Sequence, residues 1–311
     1  MHELRWDPIY GRWVVIASSR HDRPVLKSTC PFCPGSPEVR GEWTVKALPN
    51  MFPPLTPEAP EVRDDKGLYR RARAEGFCEV IVESKEHSID LADLTLGNFL
   101  ELMKLYRDRY VELGGRREVK YVYIFRNKGE IIGVTLHHPH GQLYALPFIP
   151  PVIRDQLDGE AKYRAGTGRC MLCDMVKEEI DGPRLVDSND HFAVYVPFAA
   201  KFAYETHIVP LGHVSSLSEM GEPELYDLGK IMKGILSRYN HLFDFSLPYV
   251  MALYNSPTDG REYPYHHFHV DIMPRHRSRD NIKYLAGSEL GAGVFINDSS
   301  PEERAAELRN L

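Results

Sequence analysis

The 311-residue sequence has no run approaching the roughly 20 consecutive apolar residues that a membrane span requires. Its first residues, Met1-His2-Glu3-Leu4-Arg5-Trp6, lack the basic-then-apolar pattern of a secretion signal, so a cytoplasmic chain is the expectation. It also lacks surplus positive charge: 38 Lys and Arg stand against 44 Asp and Glu, a formal net charge of -6. Binding along a phosphate backbone depends on such a surplus, which argues against nucleic acid as a partner. A small anionic substrate needs only a local basic cluster. Cysteine is sparse as well, with five residues at 30, 33, 78, 170 and 173, yet four of them form two Cys-x-x-Cys pairs. In a reducing compartment such pairs suggest metal or redox chemistry more than structural disulfides. Cys78, just before Val80 and Ile81, reads as a small buried hydrophobe.

What the sequence does have is concentrated in His138-Pro139-His140-Gly141-Gln142, between two apolar runs. Proline stiffens the backbone and glycine allows close approach to a ligand, so the motif presents two imidazoles from a stiff turn. A histidine-rich surface turn is the plain alternative, and the surrounding pattern decides against it. Cys30 and Cys33 lie in a Pro/Gly-rich turn; a strand at Glu79 to Glu83 leads to His87; a helix from about Leu94 to Leu113 and a strand from Val119 to Phe125 follow. The order then repeats, with a second turn holding Cys170 and Cys173, a strand from Glu205 leading to His213, a helix from about Glu222 to His241, and His267-Phe268-His269. His87 follows Glu79 by eight residues and His213 follows Glu205 by eight; His138 follows His87 by 51 and His267 follows His213 by 54. Such a period is too long for a solenoid and implies two domains of one fold, residues 1–160 and 161–311. The charged segment Arg63 to Glu75 reads as a solvated surface hairpin, and Ser300-Pro301-Glu302-Glu303 as a capped helix start.

Each repeat supplies two cysteines and two histidines, the soft tetrahedral set that zinc prefers: Cys30, Cys33, His87 and His138 for one ion, Cys170, Cys173, His213 and His267 for the other. A redox Cys-x-x-Cys is the competing reading, but it needs no histidines at repeated offsets. Four protein ligands leave no open position for water, so both sites read as structural. If His138 is a ligand, His140 is available to react. An imidazole can take up a phosphoryl group and hand it on, which favours transfer over hydrolysis. Gln142 can donate its amide to a phosphate oxygen while staying neutral. Arg20, Arg23, Arg126 or Lys128, and Lys283 are candidates for neutralising phosphates.

These residues resemble the galactose-1-phosphate uridylyltransferase family of the histidine-triad superfamily. The likeness rests on Arg20-His21-Asp22-Arg23-Pro24, the first cysteine pair, Asn50, His87, Asn127-Lys128-Gly129, the His138 to Gln142 motif, and the stretch from His267 through Lys283 and Glu289 to the Pro301 helix. The resemblance implies an α+β fold of two tandem histidine-triad-like repeats, with antiparallel sheets and packed helices. It implies a ping-pong transfer of a uridylyl group from UDP-glucose to galactose 1-phosphate through His140. It makes Phe32, Asn50, Asn127 and Thr135 nucleotide-site candidates, places Lys283, Tyr284 and Glu289 near phosphate and hexose, and implies a homodimer in which Arg20 or Arg23 acts across the boundary. Gln156 and Tyr254 stand where some relatives carry ligands of a different second metal site, so that site is not expected. Met51 and Ser288 also depart from some relatives near the ribose and substrate. An adenylyltransferase or ADP-sugar phosphorylase of the same superfamily, and a zinc-stabilised nucleotide-binding protein without turnover, are the alternative readings.

Overall fold

The computed structural model describes residues 2–20, 30–63 and 67–311. Arg23, one of the phosphate candidates, lies outside the described residues. In chain order the strands of the first half are β1 (His2–Asp7), β2 (Arg12–Ala17), β3 (Lys46–Pro49), β4 (Arg71–Arg73), β5 (Phe77–Val82), β6 (Tyr121–Lys128) and β7 (His140–Leu146). Those of the second half are β8 (Leu185–Ser188), β9 (Phe192–Tyr195), β10 (Thr206–Pro210), β11 (Tyr249–Tyr254) and β12 (His269–Pro274). The α-helices are α1 (Leu96–Gly114), α2 (Pro151–Thr167), α3 (Met171–Glu179), α4 (Glu222–Leu242) and α5 (Pro301–Arg309).

Nine strands form one antiparallel sheet in the order β3-β5-β7-β6-β11-β12-β10-β9-β8, and β2-β1-β4 form a small separate sheet. The internal repeat is visible in that order. β5-β7-β6 of the first repeat meets β11-β12-β10 of the second at the β6–β11 pairing, so each His-x-His strand lies one strand away from the seam.

Strand alternation divides the core. Ile124, Leu143, Met251 and Val270 point to one face, where they pack on α1 and α4. Tyr121, Ala252 and Tyr254 point to the other, where Ile153 and Leu157 of α2 cover part of the sheet. The first helix forms where its spacing predicts: Phe99, Met103, Tyr106, Tyr110 and Leu113 are buried as expected, Leu102 joins them while Leu96 and Leu100 are half-buried, and Thr95 caps the start by accepting from the Asn98 N–H at 3.2 Å. Cys78 is buried, as its neighbours imply.

Three local expectations need correction. Of the segment 63–75, in which 63 and 67–75 are described, Arg71–Arg73 forms a sheet strand that pairs with β1 at the edge of the small sheet. Alanines 72 and 74 turn inward while the arginines turn out, so a strand is hidden behind its charge. The helix α2 is absent from the sequence reading, because five charged residues between 154 and 162 mask the spacing of Ile153 and Leu157. Proline suits its first turn, and Gly168, with φ 75°, ends it by donating to the Arg164 carbonyl at 2.7 Å. Residue 160, the expected boundary, lies inside this helix. Finally, Cys170 and Cys173 sit at a helix start rather than in a free turn, with Cys170 at the N-cap of α3.

Candidate functional site

Two four-residue clusters appear where the repeat predicts them. Cys30, Cys33, His87 and His138 bring their ligand atoms within 4.8 Å of one another, and so do Cys170, Cys173, His213 and His267. Two backbone solutions give the same convergence. The first pair is folded by a turn in which the Cys33 N–H donates to the Cys30 carbonyl; the second uses the one-turn spacing of a helix.

The distances suit a tetrahedral ion. Metal bonds of about 2.3 Å to sulfur and about 2.0–2.1 Å to nitrogen set the sulfur-to-nitrogen edge of a tetrahedron at roughly 3.6 Å. In the first cluster His138 Nδ1 lies 3.6 Å from Cys30 Sγ and 3.7 Å from Cys33 Sγ, and His87 Nδ1 lies 3.4 Å from Cys33 Sγ. In the second, His267 Nδ1 lies 3.6 and 3.3 Å from the two sulfurs, and His213 Nδ1 lies 3.5 Å from Cys173 Sγ. The other ring nitrogen of each buried histidine donates to a backbone carbonyl: His138 Nε2 to Ser84 at 2.7 Å, His267 Nε2 to Pro210 at 3.2 Å. That fixes Nδ1 as the lone-pair atom in both. Burial lowers the pKa of His138, and that of His267 to about 3, so both rings stay neutral and able to ligate. None of the four cysteines is in a disulfide.

His140 starts β7, two residues beyond His138. Its Nδ1 donates to the His138 carbonyl at 2.8 Å, which leaves the lone pair of the neutral ring on Nε2. Strand alternation puts His140, Gln142 and Tyr144 on the face away from α1 and α4. Tyr144 donates its hydroxyl to Gln142 Oε1 at 3.3 Å, so the amide NH₂ of Gln142 is the group left for a ligand.

Two cavities meet at His140 and Gln142, and a third, lined by Arg126, Asn127 and Lys128, also reaches His140. Phe32, Asn50, Thr135, His140 and Gln142 line one, together with Met51 and Phe52. Arg20, Asn127, Thr135, His140, Gln142 and Tyr144 line the other. The Phe32 ring lies 5.5 Å from that of His140. Seven residues singled out in the sequence therefore share one region. Lys283, Tyr284 and Glu289 line neither cavity. Lys283 is buried and donates to Glu289 at 2.9 Å and to the Ile296 carbonyl at 2.6 Å, while Tyr284 is exposed. That contact holds the Glu289 carboxyl at about 2.

Arg126 and Lys128 line a cavity that His140 shares, and each is held there by a carboxylate. Arg126 is buried beneath the motif, with Nε 2.8 Å from Glu83 Oε2 and Nη1 donating to the Tyr249 hydroxyl at 2.8 Å. Burial alone would lower its pKa, but the Glu83 carboxylate raises it and keeps the guanidinium charged. Lys128 pairs with Asp90 at 2.6 Å. The same buried group explains Gly141. A Cβ there would lie 2.8 Å from the Tyr106 hydroxyl and 3.2 Å from Glu83 Oε1, so the glycine admits the protein's own interior and does not clear a path for ligand. Tyr144 and this buried network were missed in the sequence. The two-residue alternation from His140 through Gln142 would have found Tyr144.

Comparison with known proteins agrees with this arrangement. Residues 2–150 match the family described as galactose-1-phosphate uridyl transferase, N-terminal domain, and residues 156–311 match its C-terminal domain. A galactose-1-phosphate uridylyltransferase of Thermotoga maritima is 36% identical over 99% of this chain and 98% of its own length. An ADP-glucose phosphorylase of Arabidopsis thaliana is 29% identical over 99% and 93%. A solved uridylyltransferase structure superposes with a TM-score of 0.92 at 36% identity, covering 99% of this chain and 97% of the other. The Arabidopsis ADP-glucose phosphorylase crystal structure with bound ADP-glucose gives 0.79 at 28% identity, covering 100% and 99%. With both of its halves matched in order, the chain belongs to the galactose-1-phosphate uridylyltransferase family.

Proposed function

We propose that this protein transfers a uridylyl group between UDP-glucose and galactose 1-phosphate by a ping-pong route through His140. The observation that carries the reading is the His140 Nδ1 contact with the His138 carbonyl, which aims an Nε2 lone pair where the two cavities meet. In the first half-reaction Nε2 attacks the α-phosphorus of UDP-glucose, and the bond to the bridging oxygen breaks with its electron pair leaving on glucose 1-phosphate. Positive charge grows on the imidazole, and the Nδ1–H bond to the carbonyl strengthens as it does. Gln142 donates to a phosphate oxygen, and Arg20 adds charge from the second cavity. In the second half-reaction a phosphate oxygen of galactose 1-phosphate attacks the same phosphorus, the N–P bond breaks, and the neutral imidazole is restored. Phe32, Asn50, Thr135 and Asn127 frame the nucleotide.

The two Cys₂His₂ clusters suit zinc, which supplies a rigid structural anchor when bound; His138 then fixes the backbone that carries His140. Tyr284 reaches a site through a homodimer, backed by the buried Lys283–Glu289 pair, with the exposed apolar residues Tyr284, Leu290, Val294 and Ile296 as the surface available to a second copy. The two repeats, 1–160 and 161–311, divide the labour, with the nucleophile in the first. No helix among the described residues is long and apolar enough to cross a membrane, and reduced cysteine ligands suit a cytoplasmic protein.

The test is to offer the purified protein UDP-glucose and ADP-glucose in turn, each labelled in the nucleotide, and to weigh the intact chain by mass spectrometry. A uridylyl adduct on His140 is expected. An adduct from ADP-glucose alone overturns the assignment in favour of an adenylyl-transferring phosphorylase, and no adduct from either overturns the covalent route.

A further inference from the structure

The second repeat lacks the proline and glycine of the reactive motif, and its equivalent face carries a different group of side chains. His269 and Asp271 on β12 occupy the positions of His140 and Gln142 on β7. Asp271 is the direct cross-strand partner of His207 on β10, and Glu205 lies two residues before His207. The ligand atoms of Glu205, His207 and Asp271 lie within 4.8 Å of one another. Sulfur is absent from this set.

The three groups cannot satisfy one another by hydrogen bonds. His207 Nε2 lies 3.3 Å from Glu205 Oε1 and 3.2 Å from Asp271 Oδ1. One nitrogen carries one hydrogen, in the neutral ring and in the protonated ring alike, and here its hydrogen-bond partner is Glu205 Oε1. Asp271 Oδ1 is the atom left without a hydrogen-bond donor among the described residues, and Asp271 is 5% exposed. A buried carboxylate oxygen in that condition is costly unless a cation meets it. Glu205 is held for such a role: its Oε2 accepts the backbone N–H groups of Lys201 at 2.6 Å and Phe202 at 3.1 Å, which leaves Oε1 between His207 and the exposed Lys201 ammonium, 3.7 Å away. His269 Nε2 lies 4.0 Å from the same Asp271 oxygen, as a second imidazole beside the group. His207, with 19% of its side chain exposed, gives the group contact with solvent.

We propose that Glu205, His207 and Asp271 form a third metal site, for a divalent ion that prefers mixed oxygen and nitrogen ligands, such as Mn²⁺ or Fe²⁺. Two carboxylates and one imidazole offer a harder donor set than the thiolate clusters, and a 2+ ion neutralises both buried carboxylates. The three protein ligands leave coordination positions for water. The site is independent of the Cys₂His₂ clusters, with which it shares no residue.

The zinc-loaded protein, freed of loosely held metal on a chelating resin, is titrated with Mn²⁺ while free Mn²⁺ is read by electron paramagnetic resonance. About one Mn²⁺ per chain is expected, with affinity lowered at least about tenfold in Asp271→Asn and in Glu205→Gln, and with zinc content unchanged in both. Absence of stoichiometric Mn²⁺ binding overturns the site and leaves a metal-free ionic triad. Equal binding by the native protein and both variants overturns it too. Should the variants fail to fold, Mn²⁺-soaked crystals of the native protein decide: anomalous density among Glu205, His207 and Asp271 supports the site, and its absence there refutes it.

Discussion

The Nδ1 of His140 is tied to the carbonyl of His138, two residues upstream, at 2.8 Å, so the His140 ring is oriented by the backbone of a residue of the first Cys₂His₂ cluster. Removing the ring should leave that backbone in place. His140→Ala is expected to fold, retain its metal and lose about 10³-fold or more of the exchange of labelled glucose 1-phosphate into UDP-glucose. A variant that still exchanges at a substantial fraction of the native rate would sink the covalent mechanism.

Tyr144 lines the same cavity as Gln142 and donates its hydroxyl to the Gln142 amide oxygen. A neutral hydrogen bond of about 0.5–1.5 kcal/mol governs the orientation of that amide, so Tyr144→Phe should lower kcat/KM roughly two- to tenfold with little change in stability. Comparison with Gln142→Ala checks the route: if Tyr144 works through Gln142, its effect largely disappears in that background.

Gly141 faces Tyr106 and Glu83, and a methyl group there has no room. Gly141→Ala is expected to destabilise the protein by about 1–3 kcal/mol in denaturant unfolding. Tyr106→Phe removes the oxygen that a Cβ would meet at 2.8 Å, so the double variant should cost less than the sum of its parts. Strict additivity would show that the clash lies elsewhere.

Metal removal should affect the two clusters unequally. Structural zinc contributes roughly 10–16 kcal/mol of binding free energy in small modules, so chelation should lower Tm through both. Cys33→Ser is expected to lose about one zinc per chain together with exchange activity, because His138 anchors the His140 strand. Cys173→Ser should lose a similar amount of zinc with a smaller loss of exchange. Elemental analysis beside the exchange assay separates the two, and equal loss of activity would refute the division.

Much of this site was legible because its residues recur at fixed offsets. His87 and His213, each eight residues past a glutamate, stood out as a repeated pair, and the fold gathers each with two cysteines. Helix α1 was equally plain, since its buried residues obey one period. What stayed hidden had mixed signals. In α2 the apolar positions are few among charges, and β4 alternates arginine with alanine. The pairing of Arg126 with Glu83 was hidden because sequence does not tell which face of a strand a charge points to, and its partner lies 43 residues away. Gly141 was read toward the ligand when its constraint comes from beneath. Glu205, His207 and Asp271 carry no spacing signature, since a cross-strand pairing unites residues far apart in the chain.

The pairing of β6 with β11, from Ile124 opposite Leu253 to Lys128 opposite Tyr249, has a consequence for any split form of the chain. Severed at the join, each fragment bears a raw strand edge whose backbone donors and acceptors were satisfied by the other. Two such fragments have one well-matched way to recombine, across that edge, and each alone is left to pair with copies of itself.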